Sequence, residues 1–163
     1  GEDQMTPDIR CYAILDPDHC RGRSLPDLAR AAAAGGATIL QYRDKTASTR
    51  LMVERARALV AALAGTRVAL LVNDRVDVAL AAHAHGVHVG QDDMSPQDVR
   101  RLMGPDVIVG LTVKSLEQGA AVPVGLVDYA CIGGVFATVS KHNPEPPVGL
   151  DRSEEHTSEL QSH

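Results

Sequence analysis

Val68-Ala69-Leu70-Leu71-Val72 is an unbroken apolar run, and Asn73-Asp74 follows it at once. A strand of a parallel sheet reads this way, because helices cover both of its faces and no position is left to water. The same order, apolar run and then polar cluster, recurs along the chain. Residues 38–40 precede Gln41-Tyr42-Arg43-Asp44-Lys45, and Gly86–Val89 precedes Gln91-Asp92-Asp93. Residues 107–111 precede Thr112, and residues 129–135 precede Thr138-Val139-Ser140-Lys141. Residues 10–15 supply a further strand at the start. In a parallel α/β protein the C-terminal ends of all strands lie on one face, so these clusters are expected to converge.

Helical patterns fill the intervals. Ser24-Leu25-Pro26-Asp27 opens a helix with a capping hydroxyl and an acid in its first turn, and Gly35-Gly36 ends it. A second helix is expected over 48–64, and a third over 75–84. Ser95-Pro96-Gln97-Asp98 opens a fourth, which Gly104-Pro105 closes, and 115–121 gives a short fifth. Six βα-type strands allow an open doubly wound sheet or a (β/α)8 barrel. An open sheet gathers its functional loops at one switch point. Here nearly every strand ends in site-like residues, which favours the TIM (β/α)8 barrel. A complete barrel typically takes roughly 200 residues or more. The expectation is therefore a barrel with about six of its eight βα units, occupying residues 5–151. Residues 152–163 are polar and aperiodic and resemble a translated sequencing adaptor, so they are expected to be a non-native tail outside the fold.

Composition narrows the class. The chain has 163 residues and a net charge of −5, with no basic stripe, which argues against a nucleic-acid binder. No apolar run approaches the roughly 20 residues that a membrane span needs. Cys11, Cys20 and Cys131 are odd in number and lack metal-ligand spacing, as expected for reduced thiols in the cytoplasm. With one Phe, three Tyr and no Trp, the core must be built from Ala, Val, Leu and Ile.

The clusters suit a phosphorylated substrate and a divalent metal. Gln41, Arg43 and Lys45 fall on one side of an extended strand, where two cations and an amide make an anion clamp; a charged solvated loop is an equally good reading of these residues alone. Asp74 and Asp93, 19 residues apart, end adjacent strands and offer two hard carboxylate ligands to Mg2+. Asp74 alone also reads as a helix N-cap. Thr138, Ser140 and Lys141 follow Gly133-Gly134, which would let the backbone approach a ligand closely; taken alone, the cluster reads better as an ordinary polar loop. Thr112 adds a hydroxyl. His83 and His85 precede a strand and are expected at the surface, His88 is expected in or near the core, and no residue reads as a catalytic acid or base.

Four of these stretches together resemble the thiamine phosphate synthase family. They are Gln41-Tyr-Arg-Asp-Lys45, Asn73-Asp-Arg-Val-Asp77, Gly86-Val-His-Val-Gly-Gln-Asp-Asp93 and Gly133-Gly-Val-Phe-Ala-Thr-Val-Ser-Lys141, in that family's order and near its spacing. The resemblance implies a transferase of thiamine biosynthesis on a (β/α)8 barrel. It would join 4-amino-2-methyl-5-hydroxymethylpyrimidine diphosphate to a thiazole phosphate, releasing diphosphate. It also implies substrate contacts at Gln41, Arg43, Lys45, Asn73, Thr112, Thr138, Ser140 and Lys141, and Mg2+ at Asp74 and Asp93. Thr112 stands where the family usually has Ser. Two rivals remain: a thiazole tautomerase-like isomerase on the same fold, and a non-catalytic binder of phosphorylated ligands.

Overall fold

Serines start four of the five α-helices among the described residues. Ser24, Ser48, Ser95 and Ser115 each accept, at the side-chain hydroxyl, the backbone N–H three residues on. Each thereby satisfies one donor that a helix leaves unpaired in its first turn. The structure, a computed structural model, describes residues 7–139. Ser140, Lys141 and the 152–163 segment lie outside the described residues. In chain order the elements are β1 (Tyr12–Leu15), a 3-10 turn (Pro17–His19), α1 (Leu25–Ala34), β2 (Ile39–Tyr42), α2 (Thr49–Leu63), β3 (Ala69–Asn73), α3 (Val76–Ala82) and β4 (Gly86–Val89). There follow α4 (Pro96–Met103), β5 (Ile108–Thr112), α5 (Leu116–Ala120), β6 (Tyr129–Ile132) and β7 (Val135–Thr138).

The described residues divide into two compact units, one spanning Asp8–His88 and the other taking in Val89–Val139. In the first, β1, β2, β3 and β4 lie side by side in chain order, all parallel. Parallel neighbours need a crossover between them, and α1, α2 and α3 provide it. Register sets Ile14, Gln41, Leu71 and Gly86 at one level across the sheet. Every residue of β2 and of β4 is buried, as a strand covered on both faces requires. Helix α2 buries Met52, Ala56, Leu59 and Leu63, a single helical stripe. Each of the large side chains in it contributes about 1.5–3 kcal/mol by leaving water.

In the second unit β5 pairs with β6 in parallel, and β6 with β7 antiparallel. A guanidinium ties the helix side to these strands. Arg100 on α4 donates to the carbonyls of Val107 (2.7 Å) and Leu126 (3.0 Å) and to the Asp128 carboxylate (3.0 Å). Asp128 in turn accepts the Val109 N–H at 2.8 Å. Both charged side chains are nearly buried, so each needs the other.

Three expectations change. The single strand expected over 129–135 is two, β6 and β7, joined by Gly133 and Gly134 at φ 56° and 84°. Two left-handed residues between antiparallel strands are the turn whose twist matches a hairpin, so the glycines reverse the chain rather than open room for a ligand. Strand β2 runs two residues further than expected and takes in Gln41 and Tyr42. The third helix is shorter than 75–84, because His83 at φ 56° turns its C-terminus.

Gly110 on β5 sits opposite Tyr129 on β6, and a Cβ there would collide with the ring of that fully buried tyrosine. Gly110→Ala is expected to destabilise the second unit by about 1–3 kcal/mol or more. Urea unfolding monitored by circular dichroism measures it; an unchanged midpoint would mean that the ring has room to move.

Candidate active site

Among the described residues, Gln41 is the only buried glutamine, with 3% of its surface exposed. A buried primary amide must have its donors and acceptor met. Its Nε2 donates to the Tyr12 hydroxyl at 2.6 Å, and its Oε1 accepts from Asn73 Nδ2 at 2.8 Å. Tyr12 lies two residues before the level of Gln41 on β1, and Asn73 two residues after it on β3. Asn73 Oδ1 then accepts from Lys45 Nζ at 2.9 Å, and the same ammonium donates to Asp74 Oδ2 at 2.6 Å. The structure thus brings Gln41, Lys45, Asn73 and Asp74 together at the C-terminal ends of β2 and β3.

Asp74 is not the cap of α3. That helix begins at Val76, its N-cap is Arg75, and no side chain caps it. Asp74 instead takes a left-handed φ of 57°, and its N–H donates to the His88 carbonyl at 2.8 Å. Left-handed backbone is uncommon away from glycine, and Asp and Asn are among the residues that tolerate it best. The loop therefore aims the carboxylate at Lys45.

Arg43 does not join this group. The strand period that put Gln41, Arg43 and Lys45 on one side ends at Tyr42. Past it, Arg43 N donates to the Leu15 carbonyl at 3.0 Å, and Arg43 Nη1 reaches Asp16 Oδ2 at 3.1 Å. Arg43 is drawn to the β1 side of β2, and Lys45 to the β3 side. The Asp18 N–H, with His19 and Arg43, holds the Asp16 carboxyl below the usual carboxylate range.

Asp44 separates the two cations. Its side chain is 2% exposed and accepts from the Tyr42 hydroxyl, from Arg55 Nη1 at 2.8 Å, and from the Thr46 and Ala47 N–H groups at 3.3 and 3.1 Å. Burial pushes the Asp44 carboxyl up, but these donors outweigh it and leave it below its ordinary value. Burial and the neighbouring Asp44 push the Tyr42 phenol up.

In the second unit, Asp93 Oδ2 accepts the Gly90 N–H at 2.7 Å. A Cβ on Gly90 would stand 3.2 Å from that oxygen, so the glycine leaves the carboxylate its place. Ser95 caps α4, which leaves Asp93 outside the cap. A cavity of about 550 Å3 opens beside Asp93, with Gln91, Ser95, Ser115 and Gln118 on its wall. Thr112 ends β5, and its carbonyl accepts from Gln91 Nε2 at 3.0 Å. Thr138 is not where the sequence put it. The hairpin folds it back to pair with Tyr129, the first residue of β6, whereas Thr112 pairs with Cys131 further along that strand. His88 is buried and His83 exposed, as expected. His85 is exposed, and its Nδ1 accepts the Leu70 N–H at 2.9 Å.

Tyr12, Asp16 and Asp44 are partners that the sequence reading passed over. Asp16 follows β1 directly, so the rule that found the other clusters also points to it. Tyr12 lies inside a strand and Asp44 inside a charged run, and nothing local marks either one.

A family model described as thiamine monophosphate synthase matches residues 11–162. A thiamine-phosphate synthase of Agrobacterium fabrum is 55% identical over 147 residues, which cover 88% of this chain and 66% of the relative. One of Koribacter versatilis is 49% identical over 148 residues, covering 88% of this chain and 69% of the relative. The solved structure of a thiamine phosphate pyrophosphorylase from Pyrococcus furiosus aligns with a TM-score of 0.69 at 34% identity, over 82% of this chain and 64% of that one. The chain thus spans about two thirds of the length of the relatives it matches. The barrel-type α/β fold expected from the sequence is borne out by the structural match.

Asp44→Asn is expected to destabilise the first unit by about 1.5–3 kcal/mol at neutral pH, the worth of hydrogen bonds to a charged group. Because the folded carboxyl is held low, its contribution is present above the unfolded value near pH 4 and is lost as pH falls through the folded value. The stability gap between the native chain and Asp44→Asn should therefore close in acid. Urea titrations at stepped pH measure this, and a gap that does not narrow as pH falls below 4 would contradict it.

Proposed function

This chain belongs to the thiamine monophosphate synthase family, and from that membership we propose that the protein condenses 4-amino-2-methyl-5-hydroxymethylpyrimidine diphosphate with a thiazole phosphate. The bond from the pyrimidine methylene carbon to the diphosphate oxygen breaks, and its electron pair leaves with the diphosphate. The thiazole nitrogen gives its lone pair to that carbon, and thiamine phosphate results. No proton is taken from the nitrogen, so the absence of an acid or base from the reading of the site is in keeping with the reaction.

The observation that carries the proposal is the Gln41–Asn73–Lys45–Asp74 group at the ends of β2 and β3. Lys45 places a positive charge where the leaving diphosphate gathers negative charge, which is the main electrostatic demand of the step. Asn73 and Gln41 fix the ammonium and offer amides to the same substrate. Arg43 adds a guanidinium fork on the other side of β2. Thr112 offers a hydroxyl to diphosphate. Thr138, paired with the start of β6, is given no such role, and Ser140 and Lys141 lie outside the described residues. The rival isomerase has no diphosphate to neutralise, so the Lys45–Asp74 pair favours the synthase.

The donors fit Mg2+. Asp74 has one carboxylate oxygen on Lys45 and Asp93 has one on the Gly90 N–H, which leaves each a second oxygen, and Mg2+ commonly takes one or two carboxylates beside water and phosphate oxygens. Among the described residues no group of three or more His, Cys, Asp and Glu gathers. Bound there, Mg2+ would neutralise charge on the departing diphosphate. Cys11, Cys20 and Cys131 are free thiols, in keeping with a cytoplasmic setting. Among the described residues no helix is long and apolar enough to cross a membrane.

Asp74→Asn and Asp93→Asn should each weaken Mg2+-dependent diphosphate binding by about tenfold, the loss of one charge-assisted contact, while the far-ultraviolet spectrum stays unchanged. Calorimetric titration with diphosphate, with and without Mg2+, reads this directly. An Mg2+ dependence equal to that of the native chain in both variants would remove the metal assignment.

A further inference from the structure

Asn73-Asp74-Arg75-Val76-Asp77 carries two charged residues that the site has not used, Arg75 and Asp77. Asp74, just before them, is the centre of a three-residue turn. Its φ is 57°, and the Arg75 N–H donates back to the Asn73 carbonyl at 2.9 Å. A turn of this size with a positive central φ is rare and strained. Such strain persists only where the surroundings over-determine it. The Asp74 N–H on the His88 carbonyl holds one side of the turn.

The Arg75 side chain holds the other. Its Nε and Nη2 donate to the two oxygens of Asp77 at 3.0 and 2.7 Å, which sets the plane of the guanidinium. Nη2 also donates to Thr49 Oγ1 at 2.9 Å, and Nη1 lies 3.7 Å from Met52 Sδ. Thr49 is the first residue of α2, and Met52 is buried on the same helix. The guanidinium therefore reaches from the turn to the helix that follows the Lys45 loop. A planar group with several donors in fixed directions can make these contacts together, whereas an ammonium is a single point charge. The position itself argues the same way. Arg75 is the N-cap of α3 and offers that helix no side-chain acceptor, where Ser, Thr, Asp or Asn would.

We propose that Arg75, with Asp77 setting its plane, is a positioning residue: it ties the Asp74 turn to the start of α2 and so holds the Asp74 carboxylate on Lys45. The consequence for Mg2+ and diphosphate rests on the synthase reading, and the hold on the turn does not. Arg57 gives the contrast. It reaches from the middle of α2 to the Ala81 carbonyl near the far end of α3, at 3.3 and 3.2 Å, and so joins the same two helices away from the turn.

Amide hydrogen exchange of the whole chain, read by NMR, tests the hold without any ligand. The reporter is the Asp74 N–H. Arg75→Ala should speed its exchange about tenfold or more and leave the amides of β3 unchanged, which is the signature of local opening. Arg75→Lys keeps the charge and should release the turn nearly as far. Arg57→Ala should leave the Asp74 N–H as it is in the native chain. Unchanged exchange in Arg75→Ala would overturn the proposal. Native exchange in Arg75→Lys would reduce the effect to charge, and equal release in Arg57→Ala would reduce it to helix packing; either overturns it. So would equal acceleration throughout β3 in both Arg75 variants.

Calorimetry with diphosphate, with and without Mg2+, tests the consequence. Arg75→Ala should weaken Mg2+-dependent binding about tenfold, and adding it to Asp74→Asn should cost nothing beyond the loss from Asp74→Asn alone. A second full loss in the double variant would show Arg75 acting on its own rather than through Asp74, and would overturn the positioning role. A native chain with no Mg2+-dependent binding would overturn the synthase reading instead, and exchange at the Asp74 N–H would then decide the hold on the turn.

Discussion

A primary amide buried in the middle of a parallel sheet has two donors and an acceptor to place, and no water to place them on. Gln41 is that group in the first unit. Its nitrogen is met by Tyr12 on one neighbouring strand and its oxygen by Asn73 on the other. The amide therefore has one orientation only. Asn73 inherits its orientation in turn: with Nδ2 spent on Gln41, its Oδ1 is the atom left for a donor, and Lys45 supplies one. The ammonium at the end of this series is fixed by a glutamine two strand positions away. Removing Tyr12 or Asn73 would strand a polar atom of the buried Gln41, at a cost of about 1–3 kcal/mol.

The loop after β2 shows how two cations in one pentapeptide come to serve different surroundings. Asp44 gathers Tyr42, Arg55 and two backbone N–H groups, so the loop is nailed down at its centre. Arg43 and Lys45 flank that anchor and leave in opposite directions. Which way each goes is decided by the carboxylate waiting at the end of the adjacent strand, Asp16 after β1 and Asp74 after β3. Parallel strands in register deliver those acids at nearly the same height, and this allows one loop to be divided between two of them.

Local signals in the sequence were read correctly where the physics is local. A serine hydroxyl caps a helix three residues deep whatever surrounds it, and all four serine-led starts hold. A glycine pair stops α1 for equally local reasons. The continuous run at Val68 proved to be a strand with three fully covered positions. The failures have non-local causes. Gly133-Gly134 serves either a close ligand approach or a hairpin, and the choice depends on whether β7 finds a partner in β6. Period two put Arg43 beside Gln41 and Lys45, but the period holds only as long as the strand does, and β2 ends between them. Tyr12 could not be seen because its role exists only once β1 and β2 pair.

Asp74 concentrates the tension between folding and placement. As a cap it would have given α3 a side-chain acceptor, worth about 1 kcal/mol, and α3 begins without one. Its backbone is left-handed, a conformation that costs an ordinary L-residue roughly 1–2 kcal/mol. Neither sacrifice improves the helix, and the sheet keeps only the hydrogen bond from the Asp74 N–H to His88 on β4. Both are explained if the position of the carboxylate is what matters: the left-handed turn holds Asp74 N–H on the His88 carbonyl and swings the side chain across to Lys45 instead of down onto the helix. A fold under selection for stability alone would relax this turn with glycine and give Arg75 a capping side chain. The pair of local violations at one residue, beside a buried amide network that orients its partner, is the pattern of a site held in place by the rest of the structure.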